Sequence, residues 1–438
     1  MLDPRSLAAP LLAWFAAHRR DLPWRRTRDP YAIWVSEVML QQTTVETVLG
    51  RFGPFLERFP DLPALARAEE SEVLAAWSGL GYYRRARGLH AAAREVLRAH
   101  GGALPADPAA LRALPGFGPY TAGAVASIAF GRRAPLVDGN VARVLARLFR
   151  VAGEPTRGPA RRRLWELAEA ALPPERADIQ GGASGPGPHG GASGRGPHSA
   201  ASGPGPGGAS GPGDFNQALM ELGALVCRPA APRCDGCPLA AHCEARAAGE
   251  VERYPTSARR AEAPLVRRAA LYLQRPDGAW LLVRRPPEGL LARLWELPAV
   301  DLGPRQRAEP AARALAARLG TRARLSARGA AAHQFTHRRW EVATFAARVS
   351  AAWEPRGLDA QAWCFAREED LPALGVPTAT RKVLAAARAR EAAEDARVSR
   401  PRTKKRPPRA PGSDRQRSGV RAHVITDPTC PPPRQNRA

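Results

Sequence analysis

Over the first 180 or so residues, apolar side chains recur at spacings of three and four in long Ala-, Leu- and Arg-rich stretches with few β-branched runs, a period that predicts helices. Within this region "PAALRAL" and "YTAGAVASIAFG" read as two helices joined by "PGFG". Asp107 and Pro108 are placed to cap the first, and Pro119 to open the second. The pattern stops at 181–213, where "GGASGPG", "GGASGRG" and "GGASGPG" offer almost nothing to a core, and a disordered insert is expected. "DFNQALMELGALVC" then resumes the helical period, with Asp214 as the expected N-cap. A flexible insert of this length spans roughly 30 Å r.m.s., short enough to loop out of a domain whose flanks are adjacent. Residues 1–245 are therefore read as one interrupted domain and 246–264 as a linker. Beyond it, two strand-like runs in "APLVRRAALYLQRPDGAWLLVRR" flank a hairpin signal, "RPDG". A helix at about 308–319 and strands around "RWEVATFAARV" complete a smaller α/β domain over 265–390. Residues 391–438 read as a basic disordered tail.

Charge changes this picture in one respect. The 438-residue chain carries +25 at neutral pH, which favours an anionic partner such as nucleic acid. Part of the excess is uninformative, because Ser399–Arg421 alone holds nine basic residues and one Asp, as a solvated tail would. No apolar run approaches the roughly 18 residues of a membrane span, and "LLAWFAAHRRDLPWRR" lacks a signal peptide's order of regions. Six cysteines, four of them clustered, suggest a reducing compartment. The expectation is a cytoplasmic protein with no membrane partner. Only Lys382, Lys404 and Lys405 are lysines.

Four features carry candidate chemistry. The turn with Gly116 and Gly118 gathers backbone amides beside a helix N-terminus, where an anion such as phosphate binds; otherwise it is a tight connector. Glu37 sits in the apolar helix "YAIWVSEVML", where desolvation raises a carboxyl's pKa. Asp138 in "VDGN" precedes a helix, a position most often occupied by a cap. Cys227, Cys234, Cys237 and Cys243, spaced C-x6-C-x2-C-x5-C, suit either tetrahedral zinc or an iron-sulfur cluster.

Taken together, "LPGFGPYTAGAVA", "PLVDGNVARVL", "WVSEVMLQQT" and "WSGLGYYRRARGLH" resemble the helix-hairpin-helix superfamily of DNA glycosylases. "LPWR", "FNQALMELGALVC" and the cysteine spacing resemble, within it, the MutY family of adenine DNA glycosylases, which excise adenine mispaired with 8-oxoguanine. The implied fold is a mostly α helix-hairpin-helix glycosylase domain with an iron-sulfur cluster loop, followed by a smaller α/β Nudix-like domain. The resemblance implies that Gly116 and Gly118 hold the DNA backbone, Glu37 protonates the leaving adenine, Asp138 stabilises the sugar cation and Asn140 orients them. It also implies that Arg25 and Gln217 contact the extruded base, that Leu22 and Trp24 line its pocket, that Gln42 fills the gap, and that Tyr82 wedges beside 8-oxoguanine. The four cysteines would hold a 4Fe-4S cluster, and the partner would be double-stranded DNA with A:8-oxoguanine or A:G mispairs. In relatives that also cut the strand, a lysine stands where this chain has Tyr120. A phenol forms no Schiff base, and the region contains no lysine, so base removal without efficient strand cleavage is expected.

The C-terminal segment resembles Nudix hydrolases, but "RALAARLG" has Ala314, Ala317 and Arg318 where three metal-binding glutamates belong. Recognition rather than hydrolysis is expected. Phe335-Thr336-His337 resembles the loop that reaches the 8-oxoguanine strand, with Thr336 and His337 as its reading residues and Thr in place of the usual Ser. The alternatives are an endonuclease III-like glycosylase for another damaged base, a DNA-binding scaffold without chemistry, and a nucleotide hydrolase with a DNA-binding arm.

Overall fold

The computed structural model describes residues 2–175, 211–256, 262–358 and 362–398. The expected insert up to residue 210 and the tail beyond 398, with Cys430, lie outside the described residues. The chain divides into two compact units, Met1–Ala261 and Glu262–Ala438. No described helix is long and apolar enough to cross a membrane.

The first unit is helical. Helices α1 (Ala8–His18), α2 (Pro30–Leu40), α3 (Val45–Arg58), α4 (Leu62–Arg67) and α5 (Glu70–Ala76) lead into α6 (Arg84–Ala99). In α2 the Asp29 carboxylate accepts from the amides of Tyr31 and Ala32, and every residue from Tyr31 to Met39 is buried. A helix apolar all round belongs at the centre of a bundle, and α2 lies against α8, α3 and α6. The hairpin is formed by α7 (Pro108–Ala113), capped by Asp107, and α8 (Pro119–Ile128). Its turn closes through the Phe117 amide on the Leu114 carbonyl at 3.2 Å. Gly116 has φ of +75°, and a Cβ there would stand 2.8 Å from Gly88 Cα on α6, so two constraints require glycine. Gly118, by contrast, has an ordinary φ of −88° and serves as the N-cap of α8.

Helices α9 (Gly139–Leu148), α10 (Gly158–Ala171), α11 (Pro212–Leu225) and the single turn α12 (Glu244–Ala247) complete the unit. Two boundaries differ from the sequence expectation. Gly211, not Asp214, is the N-cap of α11; Asp214 lies buried in its first turn, 3.9 Å from Arg28. Residues 211–213 are therefore part of the core, and a Cβ on Gly213 would fall 2.4 Å from the Ser127 carbonyl. Residues 246–254, expected in a linker, pack on the first unit because buried Arg147 donates to the carbonyls of Val251 (3.0 Å) and Tyr254 (2.9 Å).

The second unit is a mixed sheet of β1 (Leu265–Gln274), β2 (Trp280–Arg284), β3 (Trp295–Glu296), β4 (Ala299–Asp301), β5 (Ser326–Gln334), β6 (Arg339–Arg348) and β7 (Trp363–Ala366). The order is β3-β2-β1-β6-β5, with β1 and β6 parallel, β4 beside β1 and β7 beside β2. Helix α13 (Ala308–Arg318) covers one face and α14 (Thr378–Val398) the other, so β1 is buried on both sides and reads as a nearly continuous apolar run. The "RPDG" turn joins β1 to β2, closed by the Arg275 amide on the Ala279 carbonyl at 2.8 Å.

Candidate active site and cysteine loop

The centre of the first unit joins three elements. From α2, Glu37 is 5% exposed. From the first turn of α8, the Tyr120 hydroxyl donates to Glu37 Oε2 at 2.5 Å and lies 3.6 Å from the Met220 sulfur. Burial pushes the Glu37 carboxyl up to about 7 against the Tyr120 hydrogen bond; the nearby Asp138 charge adds to the rise and Arg25 opposes it. At the start of α9, Asp138 accepts from the Val141 amide at 2.7 Å and from Asn140 Nδ2 at 3.0 Å. It is thus a helix cap and a neighbour of Glu37 at once. Burial raises its pKa and these donors hold it down. Asn140 does not cap: its Oδ1 accepts from Arg143 at 2.8 Å, and Arg143 also donates to the carbonyls of Cys227 and Gly223. Two neighbouring acids, Glu37 poised near neutrality, suit acid-base chemistry on a single substrate.

Beside them lies a second buried acid. Glu221 on α11 is 1% exposed and takes paired hydrogen bonds from Arg20 (2.9 and 2.7 Å) and Arg25 (3.0 and 3.0 Å). Burial alone would raise its pKa, but the two guanidinium groups together pull it down to about 2. Arg25 ends the Pro23–Arg25 turn, in which Trp24 is buried and which buried Leu22 precedes as N-cap. Trp24, Arg25 and Gln217 line one small cleft with Arg28 and Asp214. Leu22 is buried and does not line it.

Gln42 and Tyr82, expected to meet the duplex, are both exposed and both left-handed, with φ of +58° and +47°. For a residue with a Cβ this costs roughly 1–2 kcal/mol, so surrounding contacts must hold each corner. In the stretch "YYRR", Tyr83 and Arg85 are buried, and only Tyr82 and Arg84 face solvent.

Cys227, Cys234, Cys237 and Cys243 line one cavity, bounded on one side by apolar side chains of α9 and α11. Among the described residues no three His, Cys, Asp or Glu side chains converge on a single ion position. Arg147 braces the loop, donating to the carbonyls of Arg228 (2.7 Å) and Pro229 (3.2 Å) and approaching Cys227 Sγ at 3.3 Å. In the second unit, Thr336 and His337 are exposed at the tip between β5 and β6. The turn closes through the Phe335 amide on the Arg338 carbonyl at 2.8 Å. The Phe335 ring packs edge-on against Trp340, over which Arg268 lies at 4.2 Å. Ala314, Ala317 and Arg318 stand on the exposed face of α13, where no metal-binding carboxylate replaces them.

Residues 35–170 match the model for the HhH-GPD superfamily of base excision DNA repair proteins, and 269–386 match the NUDIX domain. An adenine DNA glycosylase of Mycolicibacterium smegmatis is 39% identical over 55% of this chain and 69% of its own length. That of Schizosaccharomyces pombe is 31% identical over 67% of this chain and 69% of its own. The chain belongs to the adenine DNA glycosylase family. The human adenine DNA glycosylase is 37% identical over 67% of this chain, and the match spans only 57% of that longer protein.

For a member of the adenine DNA glycosylase family, sequence reading missed three buried groups, Glu221, Arg85 and Arg147, and the half-buried Arg143. A signal existed for Glu221, since a lone carboxylate in "ALMELGALV" is the same anomaly that exposed Glu37. The arginines had none, because Arg-rich helices read as solvated faces.

Proposed function

We propose that this chain is a monofunctional adenine DNA glycosylase that hydrolyses the N-glycosidic bond of adenine mispaired with 8-oxoguanine or guanine in double-stranded DNA, without efficient strand cleavage. The observation that carries this reading is the buried Glu37 carboxyl, held by the Tyr120 hydroxyl beside Asp138. The target adenine leaves the stack and enters the cleft of Trp24, Arg25 and Gln217. Glu37 gives its proton to adenine N7 while the C1′–N9 bond breaks, and Asp138 faces the positive charge that develops on the sugar. Water adds to the sugar and its proton returns to Glu37, while Asn140 fixes the Asp138 carboxylate. Tyr120 occupies the place of a Schiff-base lysine but can only orient Glu37, so adenine is released and the sugar stays in an unbroken strand.

The four cysteines would hold a 4Fe-4S cluster, which supplies a rigid tie for the 227–243 loop and takes no part in bond breaking. Four thiols lining one cavity are the donor set that such a cluster takes. The turn at Gly116 and Gly118 would accept a phosphate, and Thr336 and His337 would read the opposing 8-oxoguanine. The protein would act as a monomer in the cytoplasm. The test is single-turnover cleavage of a duplex with one A:8-oxoguanine pair, with and without alkali, beside A:G, A:T and thymine glycol controls. Strand breaks should appear only after alkali, faster for A:8-oxoguanine than for A:G. Direct nicking, or breaks at thymine glycol, would overturn the proposal.

A further inference from the structure

Arg85 is a buried guanidinium whose hydrogen-bond partners are all neutral. Its Nη1 donates to the carbonyls of Val38 (2.7 Å) and Met39 (2.9 Å), the last turn of α2. Its Nη2 donates to Thr43 Oγ1 (2.9 Å) and to the carbonyls of Leu80 (3.0 Å) and Gly81 (3.2 Å). The guanidinium carbon lies 5.4 Å from the centre of the Trp77 ring and 5.6 Å from that of Tyr82. Helix α2 would otherwise end in orphan carbonyls, and a cation is favourable at that end. The two chain corners it grips are those of Gln42, between Met39 and Thr43, and of Tyr82, directly after Gly81. These are the two exposed left-handed residues of the region, and one side chain spans both.

We infer that Arg85 is a positioning residue for base extrusion: its planar fork locks Gln42 and Tyr82 at a single spacing, so that the gap left by the adenine is filled as the base departs. The inference rests on the proposed glycosylase function. It separates Arg85 from the neighbouring arginines that reach solvent, because it acts only through the two corners and touches neither base nor phosphate. It also ties the wedge to the acid, since the helix end that Arg85 caps belongs to the helix that carries Glu37. Lysine cannot replace it, having one nitrogen for five acceptors on two sides.

The test compares the full-length protein with Arg85→Met and Arg85→Lys. Each is melted, then given two duplexes under single-turnover conditions, one with adenine opposite 8-oxoguanine and one with adenine opposite an abasic-site analogue. The second demands little unpairing work. Arg85→Met should release adenine roughly 30-fold more slowly from the first duplex but within about 3-fold of normal from the second; Arg85→Lys should show the same selective loss to a lesser extent. Equal losses on both duplexes, or none on either, would overturn the inference. If Arg85→Met does not melt cooperatively, the ratio for Arg85→Lys decides. A duplex with 2-aminopurine in place of adenine reports extrusion independently of release. Wild-type fluorescence that rises without adenine release would sink the proposed function alone, and an undiminished rise in the Arg85 variants would sink the clamp.

Discussion

Glu37 and Glu221 are both glutamates in otherwise apolar helices, both nearly sealed from solvent, and their proton affinities lie far apart: about 7 against about 2. Burial pushes both upward. What separates them is the donor: Glu37 meets one neutral phenol, whereas Glu221 is gripped by two guanidinium groups. Depth therefore does not assign a role to a buried acid. An acid kept from cations can hold a proton for delivery, and an acid surrounded by them has become part of the scaffold.

The sharpest break in this comparison is functional. Glu37→Gln should bind A:8-oxoguanine duplex normally and lose adenine release by roughly 1,000-fold or more, measured in single turnover. Near-normal release would remove Glu37 from the mechanism. Glu221→Gln should instead act on stability, because it leaves two arginines facing a neutral amide. The expected loss is roughly 3 kcal/mol, or roughly 6–12 °C in melting temperature. Its depressed pKa means that the stabilisation is present above the unfolded value near 4.5 and disappears as pH falls toward about 2.

Glu37 should show the opposite sign. Its folded pKa is raised, so its stabilising contribution is complete below pH 4.5 and is lost as pH climbs through about 7. Melts of Glu37→Gln against wild type should accordingly diverge in favour of the variant, by roughly 3 kcal/mol once pH exceeds 7; a constant difference across pH would show that the wild-type carboxyl does not hold its proton. The smallest effect belongs to Tyr120→Phe. The phenol's hydrogen bond lowers the Glu37 pKa, so its removal should move the alkaline limb of the release profile upward by roughly one pH unit. A downward move would mean that Tyr120 supports the protonated acid instead.

The same contrast explains what was legible in the sequence. Glu37 stood out because its whole helix is apolar, and the hairpin around Gly116 because glycine and proline mark it locally. The cysteine loop was legible from spacing alone. Glu221 was passed over because its meaning comes from Arg20 and Arg25, about 200 positions earlier, which no local pattern records. Arg147 lies in "NVARVLARL", where an arginine at helical spacing reads as solvated; only the fold shows four carbonyls waiting for it. The start of α11 was missed because Gly211, Pro212 and Gly213 continue the composition of the segment before them, while burial against Ser127 makes them core.

Gly116 and Gly88 meet backbone to backbone, with no side chain between them to act as a spring. The turn that offers its amides and the first turns of α6 therefore form one gauge block, in which Gly88 and Arg84 stand roughly 6 Å apart along the axis. Tyr82 projects just beyond that end. A gauge of fixed length cannot stretch: whatever shifts the turn at Gly116 shifts the Tyr82 corner with it.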